Sequence, residues 1–448
     1  METVNQEIIS SSTKRAKQLY RMLWRWHFYA GVFTIPFIIV LAITGGIYLF
    51  KPQIEAIQDA PYRQLIITGA LATPEQQMAA ALTAVPNALF SAYELPREKN
   101  DAVNILLRHS GKKIRVYVHP ETLVVLNIVD EDKRFLRIVH ELHGELLLGK
   151  TGAVLVELAA CWAIVLVLTG LYLWWPRNAR GLAGVIYPRF ASKGRAFWRD
   201  LHAVTGIWIS FFVLFLLISG LPWALVWGSA FKEVRQLTGT MPIVQDWNIS
   251  GEHQHHHTGN NHDDHTTRAP KILLDTVVEK AQKLQFAYPV LIAPPSANSL
   301  YWSVKSNAQN RPQRAEAMLD ANTGEVVSQE TFAQRHLLDR ITGFGVAAHE
   351  GQLFGWINQL LGLLTAIGLV LMSVAGFILW RKRAPKGISI LGAPPAMPDA
   401  KTGWGFVAII LIAAVLLPVI GASLIVIILV EKLMISRWET ARVWLGLS

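Results

Sequence analysis

Five long stretches of the chain are apolar and almost free of charge, and polar segments separate them. These stretches lie at 28–50, 148–175, 203–227, 353–380 and 404–430. About 20 apolar residues are enough for a helix to cross a bilayer. The hydrophobic pattern therefore predicts five transmembrane helices. The first stretch is longer than the apolar region of a signal peptide, so we interpret it as a retained membrane helix.

The polar segments between these stretches differ in charge, and this difference predicts their sides of the membrane. The basic segments are 1–27, 176–202 and 381–403, and the mixed ones are 51–147 and 228–352. By the positive-inside rule, the basic segments are expected in the cytoplasm and the mixed ones outside. Five spans would also place the tail, 431–448, outside. We interpret the net charge of +10 as a result of topology and anionic lipid rather than of nucleic-acid binding.

Composition supports a membrane protein and excludes several kinds of site. The chain is 52% hydrophobic and only 17% charged. Its one cysteine, Cys161, lies inside the second apolar stretch. A single cysteine excludes a disulfide framework, an iron–sulfur cluster held by thiolates, and covalent haem attachment through CxxCH.

The chain is a duplication. His27, Gly31 and Gly45 match His202, Gly206 and Gly220 at an offset of 175. His143, Gly149, Gly170, Trp174 and Arg177 match His349, Gly355, Gly376, Trp380 and Arg383 at an offset of 206. Each half is therefore predicted to contain a helix, an external α+β segment and a returning helix, and the fifth span stands outside the repeat.

The external segments repeat as well. HPETLVV at 119–125 resembles DANTGEVV at 320–327, at an offset of 201, and each predicts a strand, a tight turn and another strand. The increase in offset from 175 to 201 indicates 26 additional residues in the second copy. The low-complexity tract EHQHHHTGNNHDDH at 252–265 is the obvious candidate for this insertion.

Four histidines occupy matched positions near the predicted span ends. The two halves enter the membrane from the same side, so a pseudo-two-fold axis along the membrane normal is expected to relate them. This symmetry pairs His27 with His202 at the inner face and His143 with His349 at the outer face. Two imidazoles that face each other across an axis can bind a haem iron from both sides. The alternative for each histidine alone is anchoring at the membrane interface.

Glycines near the inner histidines fit the same hypothesis. Gly31 and Gly206 follow His27 and His202 by one helical turn, and the missing side chain would leave room for a flat macrocycle. The alternative is that these glycines permit close packing of membrane helices.

These motifs together resemble the PepSY-associated transmembrane-helix family of iron-regulated inner-membrane proteins. The motifs are WRWHFYAG…LAITG, VHELHG…LTGLYLWWPR, WRDLHAVTG…LLISG and AAHEG…SVAGFILWRKR, and the similarity covers residues 20–430. The resemblance implies a membrane all-α bundle, in which two parallel repeats form a four-helix haem-binding core beside a fifth helix. It also implies that the two extracytoplasmic α+β segments are PepSY-like.

The resemblance also implies a function. Members of the family include di-haem reductases of ferric siderophores, so it implies two b-type haems, held by His27, His202, His143 and His349, that move electrons outward. The expected acceptor is a ferric siderophore or another periplasmic metal chelate, and the protein would act as a ferric reductase in the bacterial inner membrane. No Gly-rich nucleotide fingerprint follows a predicted strand, so a quinol or a flavin reductase is the expected electron donor.

Other residues have more than one interpretation. His140 shares a helix face with His143 and would act as a neighbour of the haem, as a proton carrier or as the true ligand. Glu157 lies in mid-span, where an acid is either functional or bonded to a neighbouring helix. His253, His255, His256, His257, His262 and His265 are expected to bind metal ions weakly, as a flexible tether or as a metal-capture loop.

Two further functions stay open at this stage. The first is a haem-free module that displays PepSY-like domains for binding peptides or inhibiting proteases; it does not explain the matched histidine pairs. The second is a transporter of metal or siderophore, which would favour broken helices and more polar groups at mid-depth.

Overall fold

The chain folds into two compact units. The structure, a computed structural model, describes residues 2–176, 181–240, 272–296, 299–383, 391–394 and 404–447. The membrane unit comprises Met1–Gly46, Glu141–Gly239 and Leu360–Ser448, and the sheet unit comprises Ile47–His140 and Thr240–Gln359. The histidine-rich tract at 253–265 lies outside the described residues.

Helices and strands alternate in two similar series. The helices are α1 (Glu2–Tyr48), α2 (Lys51–Asp59), α3 (Pro74–Ala84), α4 (Phe135–Glu145), α5 (Gly149–Trp174), α6 (Arg195–Gly220), α7 (Leu225–Leu237), α8 (Leu274–Lys283), α9 (Leu337–His349), α10 (Trp356–Arg383), α11 (Trp404–Leu416), α12 (Pro418–Leu433) and α13 (Glu439–Leu445). The strands are β1 (Leu89–Glu94), β2 (Val103–His109), β3 (Lys112–Val118), β4 (Val125–Asp130), β5 (Val290–Ala293), β6 (Tyr301–Ser306), β7 (Ala315–Asp320) and β8 (Val326–Thr331).

Within the described residues, five helical segments are long and apolar enough to cross a membrane. They are Lys17–Tyr48, Gly149–Trp174, Arg195–Trp223, Trp356–Arg383 and Pro418–Arg437. The chain is therefore a multi-pass membrane protein. The helix of the first span extends well back into the basic segment, because α1 already begins at Glu2.

The apolar stretch at 404–430, predicted as one span, consists of two helices. Leu417 is a non-helical bend with φ −128° and ψ 81°, and α12 begins at Pro418, which lacks the N–H that would continue α11. A Cβ on Gly421 would lie 3.2 Å from Ala414 Cβ. In a straight helix, residues seven apart are about 10 Å apart along the axis, so the chain turns back sharply here.

This turn decides where the tail lies. The Tyr29 hydroxyl donates a hydrogen bond of 2.6 Å to the backbone carbonyl of Leu445, and Arg25 Nη1 donates one of 3.3 Å to that of Gly446. The tail therefore lies at the same end of the membrane unit as the basic part of α1. The expectation that five spans place the C-terminus on the opposite side is wrong, because α11 and α12 reverse the chain.

The outer histidines lie on separate helices that precede the membrane spans. His143 lies in α4 and His349 is the last residue of α9, and both helices end before the following span begins. Gly149 and Gly355, which are repeat equivalents, have φ values of +57° and +60° at these junctions. Because L-residues avoid that region, the two glycines have a backbone role at the start of each span.

In the described part of the sheet unit, eight strands form one antiparallel sheet. Its order is β4-β3-β2-β1-β5-β6-β7-β8, so each repeat contributes four consecutive strands, and the equivalent strands β1 and β5 join the halves. Tyr93 pairs with Ile292 at this junction. Side chains from both halves and from α3 and α8 form one hydrophobic core. The predicted duplication of the external segments is confirmed.

The predicted strand–turn–strand motif is confirmed in both copies. His119 Nδ1 accepts backbone hydrogen bonds from the residues two and three positions on, and Asp320 Oδ1 does the same in the second copy. The backbone N–H groups of Asn322 and Thr323 hold the pKa of Asp320 below its usual value. The offset between the repeats is 174 residues from the start of α2 to the start of α7, and 200 residues from the start of α3 to the start of α8. The additional residues of the second copy therefore lie between the starts of α7 and α8, the interval that contains 252–265.

An ion-pair network fixes the segment that leads into α4. Arg115 on β3 pairs with Glu94 at 2.6 Å and also with Glu131. Arg134, just before α4, pairs with Asp59 at 3.3 Å. These pairs are largely shielded from solvent, so removal of one partner would leave a costly unpaired charge. The network therefore holds the start of α4 on the sheet.

Candidate functional site

The membrane unit brings His27 and His202 together. His27 lies on α1 and His202 on α6, and their ring centroids are 6.3 Å apart with planes at 88°. A metal–imidazole bond is about 2 Å long and each ring adds about 1 Å, so two imidazoles on one ion would have centroids about 6 Å apart. The separation of the rings therefore fits a pair of axial ligands on one haem iron.

Hydrogen bonds determine which nitrogen of His27 can bind a metal. The Thr169 hydroxyl lies 2.7 Å from the carbonyl of Val165, to which it donates, and 3.0 Å from His27 Nδ1. Because the hydroxyl proton is donated to the carbonyl of Val165, the hydroxyl oxygen accepts a hydrogen bond from Nδ1–H of His27. This tautomer leaves Nε2 with a free lone pair, as a metal ligand requires.

His202 is held in the same way by a backbone group. Its Nδ1 lies 3.0 Å from the carbonyl oxygen of Met372 on α10. A carbonyl only accepts, so Nδ1 of His202 carries the proton and Nε2 is available for a metal. Met372 is the repeat equivalent of Leu166, whose carbonyl also hydrogen-bonds to His27. The two halves therefore orient their histidines by equivalent contacts.

The third histidine, His143, repeats the threonine contact. Its Nδ1 lies 2.9 Å from the hydroxyl of Thr44 on α1, and that hydroxyl donates to the carbonyl of Val40 at 2.7 Å. By the same argument Nδ1 of His143 donates to the Thr44 hydroxyl. Thr44 and Thr169 each precede a glycine that faces the same histidine.

These glycines allow the rings to approach a neighbouring helix. A Cβ on Gly170 would lie 3.2 Å from Cε1 of His27, and one on Gly45 would lie 3.1 Å from Cε1 of His143. On Gly376, a Cβ would be 3.5 Å from Cε1 of His202, which is an ordinary contact. The first two positions therefore require glycine more strictly than the third.

We expect Gly170→Ala to disturb the site more than Gly376→Ala does. The added methyl group would press on the His27 ring, which its bond to Thr169 prevents from moving freely. At Gly376 the same methyl group fits against His202. The measurement is bound haem per purified chain and its absorption spectrum. Equal effects of the two variants would contradict this assignment of the contacts.

Gly31 and Gly206 face the span that follows in each repeat. A Cβ on Gly31 would lie 3.9 Å from Leu166 Cδ2, and one on Gly206 would lie 3.2 Å from Met372 Sδ. These contacts are those of close helix packing, the alternative that the sequence analysis left open. A role for these glycines in making room for a macrocycle stays a prediction.

The remaining histidines of the hypothesis lie in the sheet unit. His349 ends α9, and Asn358 Nδ2 donates a bond of 2.9 Å to the carbonyl of Ala348 beside it. The ring of His140 lies 5.5 Å from that of Tyr48. The pairing of His143 with His349, and the role of His140 as ligand or neighbour, stay predictions.

Glu157 caps a helix. Its side chain is only 2% exposed, and its two carboxylate oxygens accept from the backbone N–H groups of Val226 and Trp227 at 2.7 and 2.9 Å. These groups belong to the first turn of α7, whose N-cap residue, Ala224, offers no side-chain cap. Of the two interpretations of this acid, bonding to a neighbouring helix is the one that the structure shows.

The described residues contain no group of three or more His, Cys, Asp or Glu side chains that would hold a metal ion on its own. The predicted weak metal-binding tract at 253–265 lies outside them. Two imidazoles on a macrocycle need no third protein ligand, so the His27–His202 pair remains the candidate site in the membrane unit.

Sequence reasoning did not assign the groups that orient the histidines. Thr44 and Thr169 stand in the Thr-Gly dipeptides at 44–45 and 169–170, within the motifs LAITG and LTGLYLWWPR, but neither motif by itself indicates a contact with a histidine. The Met372 carbonyl leaves no trace in the sequence, because any residue supplies one. A search for Ser/Thr-Gly pairs on the span that follows or precedes each histidine would have found the two threonines.

Comparison with known families agrees with this architecture. The model of the PepSY-associated TM region matches residues 24–383. None of the curated proteins compared with the chain matches it significantly. The matched region contains most of the first span, the next three spans, the eight-stranded sheet, and His27, His143, His202 and His349. The chain therefore belongs to the family of proteins with a PepSY-associated TM region.

Proposed function

We propose that this protein is a di-haem b electron-transfer protein of the bacterial inner membrane, which reduces a ferric siderophore or another ferric chelate on the periplasmic side. The observation that carries the proposal is the pair His27 and His202, with ring centroids 6.3 Å apart and both Nδ1 atoms donating to fixed acceptors. The family and the duplicated histidines support a second haem at His143 and His349.

The residues of the chain have defined tasks in this proposal. His27 and His202 would hold the haem iron through their two imidazoles, and a haem held in this way would supply electron transfer rather than O₂ chemistry. Thr169 and the Met372 carbonyl keep each imidazole in the tautomer that binds through Nε2. A bound haem would supply a one-electron couple inside the membrane.

The overall reaction balances with a simple donor. One quinol releases two electrons and two protons, and the electrons reduce two ferric ions to ferrous ions. A flavin reductase is the alternative donor. Ferrous iron binds hard oxygen ligands more weakly than ferric iron, so reduction would release the metal from its chelator. With the basic segments in the cytoplasm, the N-terminus and the tail would be inside and the electrons would move outward.

The first experiment is an absorption spectrum of the detergent-purified chain, oxidised and reduced with dithionite, with a pyridine haemochrome count. We expect two b-type haems per chain. The reduced protein should then convert ferrioxamine to ferrous iron, which a ferrous-specific chelator traps. Absence of a Soret band after expression with ample haem would refute the proposal and favour a peptide-binding PepSY module. Two haems without ferric reduction would refute only the assignment of the acceptor.

A further inference from the structure

Arg383 lies close to two aromatic side chains that flank His27 on α1. It is the last residue of α10, and its guanidinium carbon lies 4.3 Å from the ring centroid of Phe28 and 5.4 Å from that of Trp24. These two aromatic residues are neighbours of His27 on α1. The cation is therefore held against the helix that carries one of the paired histidines.

The guanidinium of Arg383 has hydrogen-bond donors that its surroundings do not use. Its Nε and Nη2 atoms are buried, and neither has a hydrogen-bond partner within the part of the chain that the structure describes. By contrast, Arg25 at the same end of the unit donates to Tyr29 and Gly446, and Arg189 binds Asp200 at 2.6 Å. Buried guanidinium donors are costly when left unpaired, so an acceptor is expected at Arg383.

The position of Arg383 along α10 determines on which side of the paired histidines this residue lies. Arg383 follows Gly376, which faces His202, by seven residues on α10. Arg195 precedes His202 by seven residues on α6 and acts electrostatically on Arg383. Seven residues are two turns, or about 10 Å, on the same helix face. The backbones of both arginines therefore lie about two turns from the level of the paired rings, toward the same end of the unit.

We propose that Arg383 binds a propionate carboxylate of the haem held by His27 and His202, and this inference rests on the proposed function. If both histidines bind the iron, the plane of the macrocycle is perpendicular to the line between the two rings. The edges of the macrocycle would then extend along the helix axes. Both propionate side chains of a haem are attached to the same edge of the macrocycle. The distance from the iron to their carboxylates is comparable to the length of two helical turns. A guanidinium pairs with a carboxylate through two parallel hydrogen bonds, which satisfies the buried donors.

The test uses the full chain in a His349→Ala background, which keeps only the haem of the His27–His202 pair. Arg383→Gln should lower haem occupancy several-fold and shift the midpoint potential of the remaining haem downward, because the cation favours the less positive ferrous state. The haem occupancy and the midpoint potential of Arg383→Lys should lie between those of Arg383→Gln and those of the His349→Ala parent. The matched control is Arg381→Gln, which removes an exposed cation from the same helix end and should change neither value.

A second arm identifies the anion. Chain purified from haem-deficient cells is loaded with haem or with its dimethyl ester, which lacks the carboxylates. The ester should bind the parent more weakly than haem does. With the ester, the parent and Arg383→Gln should have the same occupancy. If that difference persists with the ester, Arg383 binds another anionic oxygen, such as a lipid phosphate, and the inference is wrong.

Failure of this inference is distinct from failure of the proposed function. If the wild-type chain binds no haem, both are refuted. If the parent binds one haem and Arg383→Gln retains it with an unchanged potential, only the inference about Arg383 is refuted. Retention of the second haem by Arg383→Gln in the wild-type background serves as the control for folding.

Discussion

Replacement of His27 by alanine is expected to reduce the haem content from two to one per chain, and His202→Ala should do the same. In the proposed site each imidazole would supply one of two protein ligands to a shared haem iron, and a single remaining ring would not be expected to hold a haem that has no covalent link to the protein. The measurement is the pyridine haemochrome count on purified protein. His109→Ala, at the end of β2 in the sheet unit, is the matched control and should keep both haems.

Double variants make this prediction sharper. Because His27 and His202 belong to one site, the variant with both replaced should still contain one haem, with no additional loss. Combining His27→Ala with His349→Ala removes a ligand from each proposed site and should leave none. Loss of both haems from the His27/His202 double variant would contradict the assignment of these histidines to a single iron.

Replacement of Glu157 by leucine is expected to destabilise the membrane unit by roughly 3 kcal/mol. The change removes both acceptors from the first turn of α7, and a buried N–H left unsatisfied costs about 1–3 kcal/mol. Leucine is the residue at the equivalent position of the second repeat, Leu363. Glu157→Gln keeps one carbonyl acceptor and should lose roughly half as much.

The measurement for Glu157 is the free energy of unfolding in mixed micelles, together with the haem count. Both variants should retain two haems, because Glu157 contacts α7 rather than the paired histidines. If Glu157→Leu is as stable as the wild type, the capping interaction contributes nothing. If stability is unchanged but ferric reduction is lost, the acid would act in proton transfer instead.

Glu157 also shows why its role required the tertiary structure. The sequence shows an acid in an apolar stretch and, separately, a helix start at Leu225 that lacks a capping side chain. The two lie 68 residues apart along the chain, and no periodic pattern connects them. Only the packing of α5 against α7 brings the carboxylate to those two N–H groups.

The fifth apolar stretch is a second example of this limit. Hydrophobicity along 404–430 is continuous, so the sequence predicts one helix. Pro418 breaks it, and the contact of Gly421 with Ala414 shows that the chain reverses. Since a proline in a membrane helix can produce either a kink or a break, the direction of the following segment depends on its neighbours.

The sequence by itself determined the multi-pass architecture, the duplication, the repeated strand–turn–strand motif and the expectation that His27 meets His202. These features follow from hydrophobic length and from internal similarity, which can be read along one dimension. The tertiary structure alone decided the return of the tail to Tyr29, the joining of the repeats through β1 and β5, and the acceptors at each Nδ1. Those features are contacts between residues distant in sequence, and their partners are backbone groups or small side chains that no local pattern distinguishes.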